Sequence, residues 1–86
     1  MGNKEKPAVR FSHHARNRMR QNRTLPVTED QVRAALATPI RETDAGGGKT
    51  HRWATHRGGW LRVTFRAEKS WLVVVTVTVR KQGPKG

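Results

Sequence analysis

The sequence predicts an α+β fold: a short N-terminal strand and two helices packed on a C-terminal antiparallel sheet. Three observations carry this. Apolar residues fall at helical spacing in the first half of the chain and at every second position in the second half. Thr28-Glu29-Asp30-Gln31 is a complete helix-start signal, and Pro39 ends the helix it opens. Glycine-bearing turns then separate the alternating runs, as hairpins require.

Taken in order, residues 1–7 are polar and charged and end in Pro7, which reads as a flexible basic arm. Ala8-Val9-Arg10-Phe11 alternates, with Val9 and Phe11 on one face, and suits a short strand. Ser12 supplies an N-cap oxygen for a helix from His13 to about Arg23. At 100° per residue that helix has three zones. Ala15 and Met19 form a thin apolar stripe, Arg16, Arg20 and Arg23 lie on one flank, and His14 and Arg18 share the other. His13 points away from His14.

After a turn at Thr24-Leu25-Pro26-Val27, the second helix buries Val32, Ala35 and Leu36 and stops near Ala37. Ile40 to Asp44 reads as a short strand and Ala45-Gly46-Gly47-Gly48 as a turn. Thr50 to His56 puts His51, Trp53 and Thr55 on one face and Arg52, Ala54 and His56 on the other. Arg57-Gly58-Gly59 is a hairpin turn, and His56 beside it reads as a surface residue. From Trp60 to Arg66, Leu61, Val63 and Phe65 oppose Trp60, Arg62, Thr64 and Arg66. A turn at Ala67–Ser70 leads to a last strand from Trp71 to Arg80. Strict alternation there puts Trp71, Val73, Val75, Val77 and Val79 on one face, with Val73, Val75 and Val77 toward the helices. The domain spans residues 8–81, the order is β-α-α-β-β-β-β, and residues 82–86 read as a disordered tail.

Composition bounds what this domain does. Eighty-six residues hold one core, and a hydrophobic content of 34% keeps it thin. Eighteen Lys and Arg against six Asp and Glu give a net charge of +12, which repels itself until a polyanion neutralises it. Nucleic acid is the first candidate partner, ahead of an acidic protein or an anionic membrane. The absence of cysteine excludes disulfides, thiolate metal sites and a cysteine nucleophile. No apolar run approaches the roughly 20 residues of a spanning helix. Nor does an apolar signal region follow Met1-Gly2-Asn3-Lys4. The expectation is a protein acting in the cytoplasm without a membrane partner; a toxin module delivered from elsewhere reads the same.

By parity, one sheet face gathers Trp60, Arg62, Thr64, Arg66, Thr76, Thr78 and Arg80. Arginine pairs with phosphate and an indole stacks on an unpaired base, so this face suits RNA. RNA cleavage without a metal needs a proton carrier and permanent cations for the phosphorane charge. His14 and Arg18, one helical turn apart, offer one of each, and His51 is a second proton carrier. Catalysis is therefore assigned to His14, Arg18 and His51, and RNA contact to Arg16, Arg20, Trp60, Arg62, Arg66, Thr76 and Arg80. No metal or cofactor is expected: the four histidines include no pair at metal-ligand spacing on one helix. Gly48-Lys49-Thr50 echoes a phosphate-binding loop, but position 43 is Thr where that loop needs glycine.

A helix carrying Ser12, His14, Ala15, Arg18 and Met19 precedes a second helix opening Thr-Glu-Asp-Gln-Val. The sheet then ends in Val74-Val75-Thr76-Val77 and Arg80. Over residues 9–81 this pattern resembles the RelE/ParE-like toxin superfamily, in a branch with a helix-borne His-Ala-x-x-Arg signature. The resemblance implies a ribonuclease-toxin fold and, for RelE-like members, endoribonuclease cleavage of mRNA or tRNA without metal. It implies an acidic antitoxin or immunity protein as a partner. ParE-like relatives act on DNA gyrase instead. The alternatives are therefore a protein-binding inhibitor of that kind, or a non-catalytic RNA- or DNA-binding protein on the same basic face.

Overall fold

The structure, a computed structural model, describes residues 8–21 and 27–84. The predicted arm at 1–7, Arg23, the turn at 24–26 and the last two residues lie outside them. The described residues form β1 (Ala8–Phe11), α1 (His13–Gln21), α2 (Glu29–Ala37), β2 (Arg41–Gly46), β3 (Lys49–His56), β4 (Gly59–Glu68) and β5 (Trp71–Arg80). The α+β class and the element order agree with the expectation from sequence.

Local chemistry sets the element ends. The Ser12 hydroxyl oxygen accepts from the Ala15 N–H at 3.0 Å, while the Ser12 N–H donates to the Val74 carbonyl at 2.9 Å. One residue thus caps α1 and locks its start to β5. At α2, Thr28 Oγ1 accepts from the Gln31 N–H at 3.2 Å and Gln31 Oε1 accepts from the Thr28 N–H at 2.9 Å. That reciprocal cap is worth about 1 kcal/mol. Between β3 and β4, Arg57 and Gly58 hold φ of 48° and 84°, the paired left-handed conformation of a two-residue hairpin turn.

The five strands lie in the order β1-β5-β4-β3-β2. Successive strands from β2 to β5 pair antiparallel, but β1 pairs with β5 in parallel, Ala8 opposite Trp71 and Phe11 opposite Val74. The sheet is therefore mixed rather than antiparallel throughout. Flanked by β1 and β4, β5 is an interior strand, which accounts for its nearly unbroken β-branched run.

Both helices cover one face: α1 lies on β5, and α2 on β3 and β4. The core between them joins Ala15, Met19, Val27, Val32, Ala35 and Leu36 to Leu61, Val63, Phe65, Val74 and Val77. The thin stripe on α1 is buried as predicted, Ala15 at 0% and Met19 at 8% exposure.

Two further expectations require correction. Thr64 pairs with Thr76 but Phe65 pairs with Val74, so Val75 is an extra residue, a β-bulge. The bulge inverts the alternation of β5. Val77 and Val79 face the helices, but upstream it is Leu72 and Val74 that do so, and Trp71 and Val73 fall on the opposite face. His56 is not a surface residue: it is 5% exposed on the helix side, where the end of α2 and the hairpin enclose it. Among the described residues, no helix is long and apolar enough to cross a membrane.

Candidate nucleic-acid interface

The face of the sheet away from the helices carries the chemistry, and strand register arranges it in rows. Thr43, His51, Thr64 and Thr76 form one row across β2, β3, β4 and β5. Arg41, Trp53, Arg62 and Thr78 form the next, and Thr55, Trp60 and Arg80 the third. Neighbouring side chains in a row or on its diagonals are within mutual reach.

At the centre, His51 Nδ1 lies 2.7 Å from Thr64 Oγ1, a hydrogen bond in which either group can donate. Thr64 is only 4% exposed, so this contact fixes the imidazole against a buried anchor. Trp53 meets His51 edge-on at 6.2 Å and Trp60 at 6.5 Å, and its indole N–H donates to Thr43 Oγ1 at 3.0 Å. The Arg62 guanidinium sits 5.7 Å from the Trp53 ring centre. The imidazole is therefore held by an aromatic and hydroxyl frame rather than left free in water.

The electrostatics are one-sided. Burial pushes the His51 pKa below its ordinary 6.5, Arg62 and Arg80 push in the same direction, and Asp44 opposes them. Burial also disfavours the charge on Arg62, and Arg80 adds to that. Arg62 Nε is buried without a hydrogen-bond partner, and among the described residues no carboxylate pairs with Arg62 or Arg80. Two unneutralised guanidinium groups beside a neutral imidazole make a place where an anion relieves repulsion.

The structure divides the residues predicted from sequence. Trp60, Arg62, Thr76 and Arg80 come together with His51. Arg66 is on the same face but toward the other end of β4, ion-paired with Glu68 at 2.5 Å. His14 and Arg18 are exposed on α1, which belongs to the helix layer, so the sheet intervenes between that helix and the His51 side chain. Arg16 and Arg20 are on α1 as well. Arg16 pairs with Glu29 of α2 and lies over the Phe11 ring at 5.4 Å, which joins the two helices and the edge strand.

Several members of the face were not anticipated. Trp71 arrives through the bulge, and the Arg10 guanidinium stacks 3.8 Å from its ring centre. Gly83 rests so closely on Trp60 that a Cβ there would collide with the indole. The Thr64–His51 pair follows from a two-residue turn at Arg57-Gly58, one residue shorter than the Arg57-Gly58-Gly59 turn expected from sequence. No sequence signal marks the Gly83 contact. Among the described residues, no cluster of His, Asp or Glu has the makings of a metal site. Compared with known proteins, the chain matches no family model, no curated protein and no solved structure.

Proposed function

We propose that this protein is a metal-independent endoribonuclease of RelE-like arrangement whose substrate lies on the open sheet face. The observation that carries the proposal is the His51–Thr64 pair beside Arg62 and Arg80, cations that no carboxylate among the described residues pairs with. A scissile phosphate held by Arg62 and Arg80 brings its ribose 2′-hydroxyl toward His51. With Nδ1–H donating to Thr64 Oγ1, Nε2 is the free base. Its depressed pKa keeps it unprotonated at neutral pH, ready to take the 2′-proton as the 2′-oxygen attacks phosphorus. Arg62 and Arg80 then neutralise the charge that grows on the phosphorane oxygens, the P–O5′ bond breaks, and the 5′-oxygen leaves with a proton taken from water, giving a 2′,3′-cyclic phosphate. Support for the RelE-like arrangement comes from the order β-α-α-β-β-β-β with both helices on one face. Action in the cytoplasm, on mRNA or tRNA, belongs to the same proposal.

A second reading, binding of RNA without cleavage, is favoured by one observation: the helix carrying His14 and Arg18 is not on the face of His51. Incubation of the full chain with total RNA, with and without EDTA, separates the two. Cleavage that survives EDTA and disappears in His51→Ala supports catalysis. Intact RNA with salt-sensitive binding selects the second reading.

A further inference from the structure

Trp60 stands in the row of Thr55 and Arg80, at the end of the open face where β5 ends. Beyond Arg80 the chain turns back. Lys81 and Gln82 are exposed, but Gly83 and Pro84 are half-buried again where the segment crosses Trp60. A Cβ at Gly83 would stand nearest to Cε2 of the indole, with the two atoms bonded to it, Nε1 and Cζ2, at 2.7 and 2.8 Å. A point beyond the ring edge would be nearer to those two atoms than to Cε2. The glycine therefore lies over the ring face.

Local chemistry prepares this contact and keeps it weak. Proline favours extended backbone in the residue before it, so Gly83 reaches the ring as part of an extended strap. The φ of Gly83 lies outside the left-handed region, so the backbone does not require glycine there; the indole does, because a side chain would collide with it. Among the described residues, no hydrogen bond or ion pair ties Gln82, Gly83 or Pro84 to the rest of the domain. The segment also has no carboxylate, so it covers the indole while leaving Arg62 and Arg80 without a counter-charge. A nucleobase overlaps the whole indole and stacks on it more strongly than one glycine backbone does.

We propose that residues 81–84 are a self-inhibitory strap: they occupy the face of Trp60 on which a base of the bound nucleic acid stacks, and binding displaces them. The inference rests on the reading of the open face as a nucleic-acid interface and adds how that face is regulated. Phosphate reaches Arg62 and Arg80 with the strap closed, whereas a base reaches Trp60 only with the strap open. Apparent affinity for a base-bearing ligand is lowered by the fraction of molecules in which the strap is open.

The test uses the full chain and two probes. One is a labelled 2′-O-methyl oligoadenylate, an RNA whose blocked 2′-oxygen cannot attack; the other is tripolyphosphate, which has charge and no bases. Gly83→Ala, which prevents closure, is expected to bind the oligoadenylate roughly three- to tenfold more tightly than wild type and tripolyphosphate equally. In a Trp60→Leu background the same substitution gains nothing. Proton NMR of the wild type reads the strap itself. The ring current of Trp60 shifts the Gly83 α-protons upfield, and saturation with the oligoadenylate returns them to their ordinary position. Unchanged or weaker oligoadenylate binding by Gly83→Ala overturns the inference. So does an equal gain for tripolyphosphate, or α-protons that stay shifted in the saturated complex. If neither wild type nor Gly83→Ala binds the oligoadenylate, the nucleic-acid reading of the face fails and this inference falls with it. Tight binding that ignores Gly83→Ala sinks the strap alone.

Discussion

Along β4, Leu61, Val63 and Phe65 turn to the helices at 2%, 0% and 4% exposure, while the residues between them, Arg62 and Thr64, turn the other way. Thr64 is as buried as Phe65, at 4%, and Trp53 is at 6% although neither of the described helices covers that side. The helix side buries by layering apolar residues, and each contributes roughly in proportion to the area removed from water. The open side buries by lying flat, with indoles, threonines and guanidinium stems shielding one another. The first arrangement stabilises the chain. The second gathers cations and strands Arg62 Nε without a partner, which opposes folding until an anion arrives. A well-packed face thus supports a face built for something other than stability.

That contrast can be broken in four ways. His51→Ala, on the open face, should lower RNA cleavage by about two to four orders of magnitude and leave thermal stability nearly unchanged. A comparable loss of stability would make His51 a packing residue. Leu61→Ala, one face away, should reverse this pattern: about 2–5 kcal/mol lost in denaturant unfolding, with RNA affinity retained while the chain is folded. Arg62→Ala should weaken RNA binding by about 1–3 kcal/mol and reduce the slope of log affinity against log salt by about one. The same substitution should not lower the melting temperature in water. Inorganic phosphate should raise that temperature in the wild-type chain and do so less in Arg62→Ala. Equal phosphate response in both would remove the anion site.

The smallest expected effect is the pH dependence. The folded state depresses the His51 pKa below 6.5, so the unfolded chain binds more protons once pH falls beneath that value. The stability that goes with a neutral His51 is therefore complete above pH 6.5 and lost as pH drops through the folded-state pKa. Unfolding of wild type and His51→Asn, compared from neutral to mildly acidic pH, should show the wild type losing more. Parallel curves would mean that the ring is not held neutral by its surroundings.

Much of this was legible in the sequence, and what was missed shares a cause. Thr28, Gln31 and Pro39 mark α2 because caps act over three residues, and Arg57-Gly58-Gly59 marks the β3–β4 hairpin, although the turn that sets its register is the two residues Arg57-Gly58. The alternation in β3 and β4 assigned Trp60, Arg62 and Leu61 correctly, since the pleat has a fixed period. The same rule misassigned Trp71 and Val73, because a bulge is one residue that the period cannot announce. His56 looks like a turn residue until α2 is laid over it.

By itself, then, the sequence determined the elements, their caps and turns, the α+β class and the basic character of the open face, each a matter of contacts within a few residues. Only the tertiary structure decided that β1 joins β5 in parallel, with Ser12 bonded to Val75 at a separation of 63 residues. It also decided that the bulge turns Trp71 outward beneath Arg10, and that His14 and His51 are carried on different layers. Those outcomes depend on how distant segments share one core, and no local pattern carries that information.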